Sequence, residues 1–196
     1  MNPLPTRLVW LHLRSRHAPL ATALIIAIAA VLRLMQPWAV GPGPFAGTLP
    51  LALATGAAAI IAASTQSPFA DPEHATWPAP RLRLIQVAAF VLAAAGLLAL
   101  ARLGHDPLAA IRNLAGLTGL ALITATLISA PLAWITPLAY VLYCGAMIDA
   151  QAVSLWSWPA LPSANHTATV IALLLLGAGT TAITRFGAHD SQPTPT

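Results

Sequence analysis

Lysine is absent from this sequence, cysteine occurs once, at Cys144, and acidic residues number five in 196. Each shortage excludes something. Without lysine there is no Walker A loop, whose lysine holds the β- and γ-phosphates, and no Schiff-base nucleophile or Ser-Lys dyad. A single cysteine permits neither an internal disulfide nor a cysteine-based zinc site, and one lying in an apolar run reads as a buried, inert thiol. Charged residues make up 7% of the chain, against about 25% in an ordinary soluble domain. Nine basic and five acidic side chains cannot cover the surface of a soluble fold of this length. A soluble enzyme, a disordered chain and a disulfide scaffold are excluded on composition.

What the sequence has in quantity is apolar surface: 58% hydrophobic residues and a mean hydropathy of +0.76. These describe an integral membrane protein. The pI of 10.7 would suggest nucleic acid in a soluble protein. Here the basic residues are all arginine and sit at the ends of apolar runs, so they read as flanks of membrane spans, with no nucleic-acid partner.

Crossing a hydrocarbon core of about 30 Å takes about 20 apolar residues. The spacing of charge predicts an all-α, polytopic single membrane domain over 1–196 with six spans, near 18–34, 45–65, 84–102, 108–128, 132–148 and 166–184. The first run is short, but Arg16 and Arg33 can snorkel and lengthen it. The charge-free stretch 113–148 holds 36 residues, or roughly 54 Å of helix, which suits two spans better than one. Ser129-Ala130-Pro131 is the natural break, and Pro137 is expected to kink the fifth span. Between the fifth and sixth spans, Trp156-Ser157-Trp158-Pro159 with Pro162 reads as an interfacial or re-entrant half-helix on the external side. The tail 185–196 is polar and expected to be disordered. Basic residues ahead of the first run invite a signal-peptide reading, but the long leader and the arginine directly after the run favour a retained span.

An even number of spans puts both termini on one side. Cytoplasmic termini leave six arginines inside (positions 7, 14, 16, 81, 83, 185) and three outside (33, 102, 112). That bias sets the orientation in the plasma (inner) membrane.

Four polar features remain. Residues 4–17 mix Arg7, Arg14 and Arg16 with leucines, as an amphipathic helix lying on cytoplasmic headgroups does; a flank that only fixes orientation is the alternative. The connection 66–83 gathers Asp71, Glu73, His74, Trp77, Arg81 and Arg83. Asp71 can cap a short helix that Pro72 starts and Pro78 and Pro80 stop. Such a helix suits docking on a soluble partner, and a solvated loop is the alternative. Arg112 and Asn113 open the fourth span as an intramembrane polar pair. Arg112 is close enough to the end to snorkel, and Asn113 can hydrogen-bond a neighbouring helix. Ala115, Gly116 and Gly119 make a face on which another helix can pack closely. No H-E-x-x-H, no G-x-S-x-G and no pair of acids within one span occurs, so no catalytic residue, metal site or cofactor is expected. No span centre carries an ionisable group, which argues against a proton-coupled transporter.

This layout resembles the permease subunit of an exporter-type ABC transporter: an amphipathic N-terminal helix, six spans, a charged second loop and an external half-helix before span six. In particular, Ala70-Asp-Pro-Glu-His-Ala-Thr-Trp-Pro-Ala-Pro-Arg81-Leu-Arg83 is similar to the coupling loop of small actinobacterial permeases. Ile111-Arg-Asn-Leu-Ala-Gly-Leu-Thr-Gly119 is similar to the opening of their fourth span. The resemblance implies alternating access driven by a separate cytoplasmic ATP-binding subunit, with a second permease copy or a paralogue completing a dimer. It also implies docking through Asp71, Glu73, His74, Trp77 and Arg81, and a lateral helix carrying Arg7, Arg14 and Arg16. The other reading is a small accessory, immunity or regulatory membrane protein that transports nothing.

Overall fold

The computed structural model describes residues 18–37, 47–65 and 79–188. The expected interfacial helix with Arg7, Arg14 and Arg16, the loop residues Asp71, Glu73, His74 and Trp77, and the tail from 189 onward lie outside the described residues.

Within them the chain is entirely helical. Six α-helices follow one another: α1 Ala18–Leu34, α2 Thr48–Ala63, α3 Ala79–Ala101, α4 Pro107–Leu127, α5 Ile135–Asp149 and α6 His166–Phe186. Two 3-10 segments, Ala130–Leu132 and Leu155–Ala160, flank α5. Four stretches are long and apolar enough to cross a membrane: Arg83–Ala101, Pro107–Leu127, Ala130–Asp149 and His166–Phe186. The other two, α1 and α2, are apolar but have only 17 and 16 residues.

Proline marks two helix starts. Pro80 lies in the first turn of α3, which takes in Arg81 and Arg83; the short helix it was expected to stop lies outside the described residues. A first-turn residue needs no intrahelical partner for its N–H, so proline costs nothing there. Pro137 likewise falls in the first turn of α5, which begins at Ile135. It opens that helix and does not kink its interior. The break at Ser129-Ala130-Pro131 is where α4 ends and the first 3-10 turn begins.

α4 is the axis of the bundle. Of its membrane-length stretch 67% is buried, against 22–33% for the stretches in α3, α5 and α6. Its Leu117, Ala121, Leu122 and Ala125 pack with Leu51, Ala54 and Ala58 of α2, Val141 and Cys144 of α5, and Ile183 of α6. Leu114, one turn earlier, joins a second cluster formed by Ile25 and Leu32 of α1, Ile61 of α2 and Phe90, Ala94 and Leu98 of α3. In lipid there is no hydrophobic drive to bring helices together, so closeness of packing has to do it. Alanine supplies that closeness here, and α6 goes further. Gly119 of α4 lies against the backbone of Leu175, and Gly179 of α6 against the carbonyl of Gly119, so a methyl group at either would overlap main-chain atoms. Cys144 is a free thiol, fully buried.

The outside of the bundle is apolar instead of charged. Leu92, Leu127, Leu142, Leu174 and Phe186 are all more than half exposed. That is the surface a protein offers to acyl chains.

Candidate functional site

Polar groups that are buried inside an apolar bundle mark where the fold has been constrained. The densest group of them lies at the start of α4. Asp106 precedes the helix in the left-handed backbone region (φ 51°), which aspartate tolerates better than most residues. Its Oδ1 accepts the N–H of Ala109 at 3.1 Å, and Pro107 follows in the first turn. Five residues into the helix stand Arg112 and Asn113, only 5% and 7% exposed.

The partner of this pair is the chain between α5 and α6. Ser154 and Ser157 cap one another: the Ser157 hydroxyl donates to the Ser154 carbonyl and accepts the Ser154 N–H, both at 2.9 Å. Pro159 and Pro162 then interrupt regular helix; the Pro162 carbonyl accepts the Asn165 N–H at 3.0 Å, and side chains meet those of Pro159 and Leu161. Arg112 supplies the donors. Its Nη1 donates to Pro162 O at 2.8 Å, and its Nη2 to Leu161 O at 2.6 Å and to Pro159 O at 3.3 Å. Nε donates to Asn113 Oδ1 at 3.1 Å, and Asn113 Nδ2 donates in turn to Pro159 O at 2.9 Å. The planar fork of the guanidinium suits several carbonyls at once, where a lysine would be a point charge. Arg112 therefore does not snorkel out to the headgroups; it turns inward and holds a non-helical segment.

Aromatic packing fixes the same segment from the other side. Trp158, 3% exposed, covers Gly116, where any side chain would strike the indole ring. The ring stacks on Tyr140 of α5 with centroids 6.2 Å apart and planes at 28°. The Tyr140 hydroxyl donates to the carbonyl of Trp156 at 2.5 Å.

Asp106 completes the cluster. Burial pushes its carboxyl upward. The N–H of Ala109, the hydroxyl and N–H of Ser163 and the charge of Arg112 together outweigh that and hold it below the ordinary carboxylate range. Asn165 caps α6 next door, its Oδ1 accepting the Ala168 N–H at 3.0 Å. At the same end of the bundle, Arg33 Nη1 donates to Gln36 Oε1 and Gln36 Nε2 to the Ala101 carbonyl, both at 2.7 Å, tying α1 to the end of α3. Arg102, the next residue, keeps two buried guanidinium nitrogens, Nε and Nη1, with no hydrogen-bond partner.

No protein-family model matches this chain, and no curated protein and no solved structure matches it either.

The arrangement positions backbone. Among the described residues no three of His, Cys, Asp and Glu come together as a metal site would need. Arg112 and Asn113 meet each other and the Pro159–Pro162 carbonyls. Arg81 lies exposed in the first turn of α3, at the far end of a helix about 33 Å long, so the two groups form no common site. Asp149 ends α5 in an exposed position.

Reading the sequence missed three parts of this picture: the carbonyls that Arg112 serves, the buried Gln36 and Gln86, and Gly179 as the partner of Gly119. The first had a signal, since two prolines three residues apart beside an apolar segment advertise bare carbonyls. The glutamines had none, because a lone glutamine near a span end looks the same exposed or buried.

Proposed function

We propose that this chain is the membrane-spanning permease subunit of an exporter-type ABC transporter and works as one rigid half of a dimer. The observation that carries the reading is the close contact of α4 with α6 and with Trp158. Where α4 meets α6 the backbones touch at Gly119 and Gly179, and Trp158 occupies the notch at Gly116. A substrate path through one copy would have to part these contacts, so the path belongs between two copies, each moving as a body.

Six spans follow if α1 and α2, at 17 and 16 residues, are extended by flanking turns and by snorkelling of Arg16 and Arg33. With six spans and the arginine bias, both termini and the segment 66–78 face the cytoplasm of a plasma membrane, and the Arg112 cluster faces outward. The charged segment then stands where a coupling loop would meet a soluble ATPase through Asp71, Glu73, His74, Trp77 and Arg81. ATP hydrolysis belongs to that partner, since this chain has no lysine for a Walker A loop.

The second reading is an accessory, immunity or regulatory membrane protein, since the same α4–α6 contact also fits a bundle that transports nothing. Co-purification separates the two. The tagged chain in mild detergent should bring down a stoichiometric ATPase, and Asp71→Arg with Glu73→Arg should release it while leaving the membrane domain monodisperse. Absence of an ATPase from the wild-type preparation would overturn the permease reading in favour of the second.

A further inference from the structure

The two tryptophans of the α5–α6 connection lie two residues apart and have opposite surroundings. Trp158 is buried against α4 and α5; Trp156 is 80% exposed and its neighbour Leu155 is 54% exposed. In a connection outside the membrane, such a pair would face water. Three contacts on two helices give the depth at which this pair is held.

Tyr140, whose hydroxyl holds the Trp156 carbonyl, lies nine residues before the end of α5. That is about 13 Å of helix, farther than a tyrosine side chain can reach back, and helical side chains lean away from the C-terminal end. Gly116, which receives the Trp158 ring, lies nine residues into α4, again about 13 Å. Arg112, which holds the carbonyls of Pro159, Leu161 and Pro162, lies five residues into α4, about 7 Å. On both neighbouring helices, the segment is bound more than a turn below the helix end. The chain leaves α5, descends between the helices and climbs back to α6.

We propose that this connection is re-entrant and that its outer edge, Leu155 with Trp156, is immersed in bilayer lipid at the level of the glycerol and upper acyl region. The chemistry of the edge agrees with that occupant. Residues 150–165 contain no charged side chain. Non-helical backbone is tolerated at membrane depth only where its polar groups are met by protein, and several of them are met here. The Trp156 carbonyl is taken by Tyr140, and the Ser157 N–H donates to the Ser154 carbonyl at 2.9 Å. The Leu161 N–H donates to the Trp158 carbonyl at 3.2 Å, and the carbonyls beyond go to Arg112 and Asn113. What remains for lipid is an apolar side chain and an indole, whose single N–H suits the interface. The inference holds whether or not the chain transports anything.

The test uses the full chain in vesicles of phosphatidylethanolamine and phosphatidylglycerol. Cys144, the sole cysteine, is replaced by alanine, and a polarity-sensitive fluorophore is attached at Trp156→Cys or, as a reference beyond the end of α5, at Ala152→Cys. The label at 156 should emit at shorter wavelength than the one at 152. It should also be quenched at least twofold more by lipids carrying a nitroxide high on the acyl chain than by aqueous iodide. Dominant quenching by iodide would put the edge in water, and protection from both quenchers would put it under protein; either result overturns the proposal. Because labelling could disturb the segment, the unlabelled chain gives a second reading. Trp156→Phe should remove a component of tryptophan fluorescence that lipids brominated near the headgroup quench, and loss of no such component would refute lipid contact.

Discussion

The two ends of the bundle keep their polar groups in different ways. At the Arg112 end the bonds reach far along the chain: Arg112 and Asn113 hold carbonyls 46 to 50 residues away, and Gln36 one 65 residues away. At the opposite end they are mostly local. The Ser64 hydroxyl donates to Ile61 O and that of Thr65 to Ala62 O, each three residues back. A longer tie there is Gln86 Nε2 to Ser64 O at 2.7 Å, and it leaves Gln86 Oε1 buried without a partner. Among the bonds named here, those at the Arg112 end cross between elements far apart in the chain, while the Ser64 and Thr65 hydroxyls also bond within their own turn.

That contrast can be broken most severely at Arg112. Arg112→Met keeps the length of the side chain but removes its bonds to three carbonyls, of which Leu161 O loses the donor named for it while Pro159 O keeps Asn113 and Pro162 O keeps the Asn165 N–H; this should cost about 2–4 kcal/mol. The expected result is the largest fall in detergent melting temperature of any single substitution, accompanied by proteolytic access to 154–162. An unchanged melting temperature would mean that the segment is held by Trp158 alone.

Next comes the glycine seam. Gly119→Ala pushes a methyl group into the Leu175 carbonyl and should destabilise by about 1–3 kcal/mol. Gly177→Ala, two residues from Gly179 but with open space around it, should be neutral or gain up to about 1 kcal/mol of helix propensity. Equal effects at both positions would show that the helices do not touch as described.

At the Gln86 tie the loss should be smaller. Gln86→Leu removes one bond to Ser64 and an unmet carbonyl oxygen together, for a net change within about 1.5 kcal/mol. A loss as large as that at Arg112 would erase the distinction between the ends.

The smallest effect is a pH dependence. The Asp106 carboxyl is depressed in the folded protein, so the unfolded chain takes up its proton first as pH falls. The stability it contributes is complete above the ordinary carboxylate range and is lost as pH drops through the lower folded value. Melting curves of Asp106→Asn and wild type should therefore keep a constant separation from pH 8 to 6 and converge below about pH 4. Convergence near neutrality instead would place the carboxyl in a different environment.

The last apolar run was legible as a helix, α6 ending two residues beyond the expected span, because charge is absent until Arg185. The Gly116–Gly119 face was legible too, since small residues at helical spacing have one physical use in lipid. Proline misled at Pro137, because its meaning depends on its place in a turn: it read as a kink and lies in the first turn of α5. The Arg112–Asn113 pair was visible but its task was not, because the groups it serves are main-chain carbonyls, which every residue carries. Only the fold decides which of them go unmet.

The length of the loop that Arg112 closes also sets a schedule for biosynthesis. Its farthest acceptor, Pro162, lies 50 residues downstream. At roughly 5–20 residues per second, the ribosome reaches it about 3–10 s after Arg112 is made. For that interval α4 carries a cation with none of its carbonyl partners, and the glycine seam it will share with α6 has nothing to close on. The membrane-insertion machinery must hold α4 beside water or protein until the last helix arrives, so a chain cut short before Pro162 should be retained there or degraded.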